Sequence, residues 1–79
     1  MKLPRDLAAQ ELIRACKKLG YIETRQTGSH IRLTTQENGQ HHITIPNHKP
    51  IKLGTLSAIL TDIGSHFNLS KEDVAKALF

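Results

Sequence analysis

A histidine that follows a glycine–serine pair is the residue of this chain best suited to proton transfer. Gly28 and Ser29 favour a turn, and the residues after them alternate, with Ile31 and Leu33 on one face and His30 on the other. This alternation predicts a strand buried on one side, with His30 at its start on the solvent side. An imidazole, whose ordinary pKa is about 6.5, gives or takes a proton near neutral pH. Because most solvent-side histidines are only polar surface, the assignment depends on the surrounding residues.

Cationic groups are predicted to lie near His30. The segment 46–48 ends the next predicted strand, and since that strand runs antiparallel, its end should lie near the start of the His30 strand. Lys49 and Lys52 occupy the same loop, and Gly54-Thr55 offers free backbone N–H groups at the start of a helix, a natural phosphate site. Asp and Glu are absent from residues 38 to 61. The sequence therefore predicts an imidazole beside a cationic pocket.

RNA cleavage requires little more than these groups. The ribose 2′-OH attacks its own phosphorus, so the protein has to move a proton and stabilise a more negative phosphorane. One histidine serves the proton transfer, lysines and backbone N–H groups hold the phosphate, and no metal or other cofactor is needed. A structural zinc is the competing explanation for the histidines. It is disfavoured because His41 and His42 are neighbours on a predicted strand and point to opposite faces.

The elements that position these residues follow from periodicity. The spacing predicts a helix over 7–19, with Asp6 as N-cap and Gly20 as its end. Three strands are predicted over 21–26, 29–35 and 41–45, with turn residues between them. The facing of the first strand stays open, because Tyr21 and Ile22 both favour burial.

The register of the second and third strands is fixed by their apolar residues. Both strands place isoleucine or leucine at odd positions, so burying these residues on one face requires odd residues to pair with odd residues. The predicted core face carries Ile31, Leu33, Ile43 and Ile45. The outer face then carries His30, Arg32, Thr34, His42 and Thr44.

Two further helices are predicted after the sheet. The first opens at Gly54-Thr55, with Thr55 as its N-cap, and closes at Gly64. Ser70 caps the second helix, with Asp73 three residues later. The packing side of this last helix is predicted to consist of Val74, Ala75, Leu78 and Phe79.

Composition favours one small basic domain with an anionic partner. The 79 residues predict a single domain over 1–79, with an aliphatic core because aromatic residues make up 4% and Trp is absent. A net charge of +4 favours a polyanion such as nucleic acid. The single cysteine, Cys16, is expected to be a buried, inert thiol. No segment resembles a signal peptide or a membrane span, so a cytoplasmic protein with no membrane partner is expected.

Four motifs in order give the chain a family resemblance. They are Lys18-Leu19-Gly20-Tyr21, Arg25-Gln26-Thr27-Gly28-Ser29-His30, Ile45-Pro46-Asn47-His48 and Gly54-Thr55-Leu56-Ser57-Ala58-Ile59-Leu60. With these motifs, the chain resembles the HicA family of bacterial toxins over roughly residues 6 to 64. Gly-Ser-His alone is a weak signal, but the four motifs in this order are specific.

The resemblance implies an α+β fold like the double-stranded RNA-binding domain, with helix, three antiparallel strands and helix, followed here by a short C-terminal helix. It implies a type II toxin that cleaves mRNA without a metal, with the catalytic histidine at His30. It also implies a HicB-like antitoxin that covers this histidine, and contact with DNA only through the toxin–antitoxin complex. The residues assigned to substrate binding are Gly28, Ser29, Arg32, His48, Lys49, Lys52 and Thr55.

Two other functions stay open at this point. A non-catalytic module could use the same basic face to recognise the shape of duplex RNA, but such a module does not require an exposed histidine beside the cationic loop. A domain that only binds other proteins would leave the basic loop unexplained.

Overall fold

A computed structural model describes residues 3–79, in which helices cover one face of a three-stranded antiparallel sheet. The elements are α1 (Ala9–Cys16), a 3₁₀ turn (Lys17–Leu19), β1 (Ile22–Thr27), β2 (His30–Thr35), β3 (His41–Pro46), α2 (Leu53–Phe67) and α3 (Lys71–Leu78). The strands lie in the order β1-β2-β3, so β2 is central. This order of elements confirms the predicted α+β class, and every strand boundary falls within one residue of its predicted position.

The β2–β3 hairpin has the predicted register. Ile31 pairs with Ile45 and Leu33 with Ile43, and all four side chains are buried. The even-numbered residues of both strands therefore face away from the helices. The structure also settles the facing of β1, because Tyr21 is fully buried whereas Ile22 is 61% exposed.

The start of α1 differs from the prediction. Asp6 is not the N-cap; it precedes the helix with a positive φ of 56°. Ala8 occupies the N-cap position, and its backbone N–H donates to Glu11 Oε1 at 3.0 Å. A glutamate at the third helical position satisfies this backbone group, so the helix begins without a polar N-cap side chain. Gly20 ends the helical segment as predicted, with a left-handed φ of 82°.

Helix α2 is longer than predicted at both ends. It begins at Leu53 with Lys52 as its N-cap, so Thr55 lies inside the first turn and is not the cap. It continues through Gly64 to Phe67 and ends at Asn68, whose φ is 58°. Gly64 serves packing instead, because a Cβ atom there would lie 2.5 Å from the Leu69 carbonyl oxygen.

Helix α3 packs against α2 and is capped as predicted. The backbone N–H of Asp73 donates to Ser70 Oγ at 3.1 Å, and Val74, Ala75 and Leu78 are buried. The Lys18 ammonium donates to the Leu78 carbonyl at 3.0 Å and so joins the end of α3 to the 3₁₀ turn. The prediction for Phe79 was wrong: the residue follows the last helical turn and is 45% exposed.

The core is aliphatic, as predicted, and it contains the single cysteine. Cys16 is fully buried, and Tyr21 is the largest fully buried side chain. None of the helices within residues 3–79 combines the length and the hydropathy that a membrane span requires.

Candidate active site

A two-residue turn presents His30 at the start of β2. Thr27 ends β1 and pairs with His30, so Gly28 and Ser29 are the central residues of the hairpin turn. Gly28 has a positive φ of 57°, whereas Ser29 does not have a positive φ. This combination matches a hairpin turn with glycine at its first central position. No atom of residues 3–79 lies within 4 Å of a Cβ built at Gly28, so the backbone angle is what favours glycine here.

The end of β3 lies against this turn, as the antiparallel register requires. His30 pairs with Pro46, and the Asn47 N–H donates to the Ser29 carbonyl at 2.6 Å. The next residue, His48, accepts from the Ala9 N–H at 3.2 Å through its carbonyl and so joins the loop to the start of α1. The predicted meeting of the β3 exit with the start of β2 is therefore present.

The rest of the basic loop is exposed around a buried anchor. The side chains of His48, Lys49 and Lys52 are exposed, while Ile51 is buried and its N–H donates to the Leu7 carbonyl at 2.8 Å. Thr55 is half-buried in the first turn of α2. Within residues 3–79, no side chain caps the N–H groups of that turn.

A small cavity opens beside His30 on the outer face of the sheet. Its volume is about 170 Å³, and it is lined by Arg25, Thr27, His30, Arg32 and Thr44. The structure thus brings His30 and Arg32 together, while the loop lysines and Thr55 are not part of the lining. Within residues 3–79 the ion pairs are His41–Asp62 and Lys76–Glu72, so neither arginine of the cavity has a carboxylate partner there.

Arg25 is the charged cavity residue that was absent from the predicted site, and the uncharged Thr27 and Thr44 were absent as well. Glu23 pairs with Leu33, but Arg25 pairs with Arg32, so β1 contains a bulge between Glu23 and Arg25. Because of this bulge, Arg25 faces outward. In an unbroken alternation from the outward Ile22, Arg25 would point towards the helices. The one sequence signal for it is its place in the motif that ends at His30.

Three other histidines, His41, His42 and His66, are held by hydrogen bonds within the fold. His41 contacts the Tyr21 hydroxyl at 2.7 Å and Asp62 at 3.2 Å, and its ring stacks on His66 with centroids 4.5 Å apart. His42 contacts the Thr34 hydroxyl at 2.8 Å on the outer face. Within residues 3–79, no group of three His, Cys, Asp or Glu side chains has the arrangement of a metal site.

Two buried groups near the core have raised pKa values. Burial raises the pKa of the Cys16 thiol to about 12. Burial is also the main cause that raises the pKa of the Tyr21 hydroxyl, and the negative charges that Cys16 and Asp62 can carry act in the same direction. Both groups therefore stay protonated at neutral pH, and neither is suited to act as a nucleophile.

The comparison with protein families gives a match. The model described as the HicA toxin of bacterial toxin–antitoxin matches residues 9–65. This range runs from the start of α1 to near the end of α2 and includes every candidate site residue from Gly28 to Thr55. No curated protein and no solved structure matches the chain.

Proposed function

The chain belongs to the HicA toxin family of bacterial toxin–antitoxin systems, and from this premise we propose that it is a metal-independent endoribonuclease of mRNA. The single observation that carries the proposal is the exposed His30 imidazole in a cavity with two arginines and no carboxylate among its lining residues. This arrangement combines a group that transfers protons with groups that bind a phosphate.

The proposed reaction uses the nucleophile of the substrate. The ribose 2′-oxygen attacks the adjacent phosphorus, the bond from phosphorus to the 5′-oxygen breaks, and the 2′-proton has to leave as the new bond forms. His30 either accepts that proton while water protonates the departing 5′-oxygen, or donates a proton to the 5′-oxygen while water takes the 2′-proton. Because the chain supplies no nucleophile, the unreactive thiol of Cys16 has no part in this reaction.

Cations and backbone donors stabilise the extra negative charge of the phosphorane. Arg32 lies two residues after His30 on the same face of β2 and is the nearest predicted phosphate ligand in the strand. We assign further contacts with the RNA backbone to His48, Lys49 and Lys52 and to the first turn of α2 at Thr55. Gly28 and Ser29 act through the turn, which fixes the position of His30.

The test compares two histidine variants on the same sheet face. Purified His30→Ala should lose cleavage of an mRNA substrate, because it lacks the proton-transfer group. Its free energy of unfolding should change by no more than about 0.5 kcal/mol, because the side chain is exposed. His42→Ala is the matched control: it removes another exposed imidazole from the outer face and should keep cleavage.

Equal cleavage by His30→Ala and the wild type would reject His30 as the catalytic residue. Tight binding of duplex RNA by a wild-type protein that cleaves no RNA would instead favour the non-catalytic RNA-binding module. Gel analysis of RNA and circular dichroism of each variant separate these outcomes from a loss of folding.

A further inference from the structure

The β1 bulge brings two arginines face to face. Arg25 and Arg32 are direct partners on adjacent antiparallel strands, and both side chains line the cavity beside His30. The extra residue in the bulge is Thr24, whose hydroxyl donates to the Arg32 carbonyl at 3.4 Å and contacts the Thr34 hydroxyl at 2.9 Å. These contacts hold the bulge directly before Arg25, where it determines which face of the sheet Arg25 lies on.

A directly opposed pair of like charges is unfavourable in a sheet, since the Cβ atoms of such partners are about 5 Å apart. A carboxylate would relieve the repulsion, but Arg25 and Arg32 have none within salt-bridge distance in residues 3–79. A bound anion removes the same repulsion. Guanidinium groups suit this role because each presents a planar set of donors that matches phosphate oxygens.

We propose that Arg25 and Arg32 together bind one phosphate of the RNA strand, the one at which cleavage takes place. The inference rests on the proposed function, because it names the substrate group that this site holds. His30 is two residues from Arg32, which is about 7 Å along the strand. A phosphate held by both guanidinium groups therefore lies beside the imidazole, and the hydroxyls of Thr27 and Thr44 border the same cavity.

The site in the cavity is separate from the basic loop. Lys49 and Lys52 lie beyond the end of β3 and do not line the cavity. They are therefore placed to contact phosphates further along the RNA strand. Arg25 and Arg32, by contrast, belong to β1 and β2, and the backbone hydrogen bonds between these strands hold them in place. The cleaved phosphate requires the more rigid of the two sites, because catalysis depends on its position relative to His30.

The experiment measures binding of a fully 2′-O-methylated RNA, which cannot be cleaved because its 2′-oxygens are blocked. Arg25→Ala and Arg32→Ala should each weaken binding by roughly tenfold, the value expected for loss of a hydrogen bond to a charged group. In the double variant the slope of log K against log salt should fall by about 0.7, because the contact with this one phosphate is then lost, and it should fall by less in each single variant, which keeps one arginine on the phosphate. The double variant should lose less than the product of the two single effects, because both residues hold the same phosphate.

Two further variants separate a specific contact from net charge. Arg14→Ala removes an equal charge from an exposed position on α1 and should leave binding within about twofold of the wild type. Arg25→Lys keeps the charge but lacks the planar donor set, so it should recover the salt slope and only part of the affinity. An equal loss in Arg14→Ala, or unchanged binding by Arg25→Ala, would overturn the inference.

Cleavage of unmodified RNA distinguishes failure of this inference from failure of the proposed function. If the wild type cleaves RNA and Arg25→Ala cleaves and binds as well as the wild type, the arginine pair is not the site and the ribonuclease proposal stands. If the arginine variants lose binding but the wild type cleaves nothing, the phosphate site stands and the ribonuclease proposal fails. Absence of RNA binding by the wild type would reject the site.

Discussion

At the scale of single residues, the histidines divide by the hydrogen bonds they form. His41, His42 and His66 each contact a tyrosine, threonine, aspartate or backbone group of the fold, and His66 donates to the Glu37 carbonyl at 2.8 Å. Within residues 3–79, no such side-chain bond joins the His30 ring to another residue. The His48 ring has none in this range either, but only His30 lines the cavity that contains Arg25 and Arg32, and this is why His30 is the residue we assign to proton transfer.

The buried thiol of Cys16 leads to a prediction for alkaline pH. Its pKa is raised to about 12 in the folded state, whereas an unfolded cysteine ionises near pH 8.5, at about its ordinary pKa. The stabilising contribution of the protonated Cys16 thiol to the free energy of unfolding is therefore complete below about pH 8.5 and is lost as the pH rises towards 12. Urea unfolding at pH 8, 9, 10 and 11 should show a falling free energy of unfolding, with a shallower fall in Cys16→Ala.

Tyr21 gives the comparison for the cysteine result. Its pKa is also raised by burial, so part of the alkaline fall should persist in Cys16→Ala. The same slope in the wild type and Cys16→Ala would mean that the thiol is not protected from ionisation in the folded protein.

At the scale of the elements, two glycines in α2 have opposite roles. Gly64 lies where α2 meets the Leu69 backbone, and an added Cβ would lie 2.5 Å from that carbonyl oxygen. Gly64→Ala should therefore destabilise the protein by about 1–3 kcal/mol, the usual cost of overpacking. Gly54→Ala makes the same change in the first turn, where no neighbouring atom of the described residues lies within 4 Å of the added Cβ. It should stabilise the protein by up to about 1 kcal/mol, because alanine has the higher helix propensity.

Thermal or urea unfolding of the two glycine variants measures whether each substitution lowers or raises the stability of the protein. The opposite result, a stable Gly64→Ala protein, would show that α3 and the turn before it shift easily away from α2. Since Leu69 N–H also donates to the Gly64 carbonyl at 2.8 Å, such a shift would break a backbone hydrogen bond.

The basic loop gives a second prediction at this scale. Lys49 and Lys52 are exposed beyond the end of β3, and Ile51 fixes the loop between them against Leu7. Lys49→Ala combined with Lys52→Ala should weaken RNA binding and lower the salt slope by about 0.7 for each lost phosphate contact. A filter-binding titration at several salt concentrations measures this, and an unchanged slope would show that these lysines do not contact the RNA backbone.

At the scale of the whole molecule, the helices cover one face of the sheet and leave the other open. The open face carries the outward residues of β2 and β3, and the chain has a net charge of +4. A toxin of this family has an antitoxin partner. Because the proposed substrate has to reach His30 on this face, occlusion is the simplest way for that partner to inhibit it.

We therefore predict that the antitoxin buries the face around His30 and presents acidic side chains to it. The contact should include Arg32 and His42, which share the open face with His30, and the loop 47–52, which follows β3 at the end next to His30. Hydrogen exchange of the toxin alone and in the complex should show protection there. The association rate should fall with salt, more in the wild type than in Arg32→Ala, because opposite charges speed the encounter.

Arg14→Ala, on the exposed side of α1, is the control for the association rate and should behave as the wild type. Protection of α1 in the complex, with the His30 face left open, would reject occlusion. Inhibition would then have to act through a change in the conformation of the toxin.

Local chemistry in the sequence determined the part of the site that contains His30. The period-two pattern of isoleucine and leucine set the register of β2 and β3, and so placed His30 and Arg32 together on the solvent face. Gly28 also has the positive φ that its turn requires. Each of these features depends on residues within a single hairpin, β2–β3 for the register and β1–β2 for the turn, where side-chain alternation and turn residues decide the local arrangement.

The tertiary structure alone decided where β1 breaks its alternation and where α2 ends. Arg25 lies on the same face as His30 because a bulge shifts the pairing of β1 with β2. Tyr21 is buried and Ile22 exposed, and no local pattern predicts which of these two residues at the start of β1 faces the core. Gly64, which usually marks a helix end, lies inside α2 because the Leu69 backbone packs against it. In both cases the deciding contact is with another element, and a pattern of neighbouring residues does not contain it.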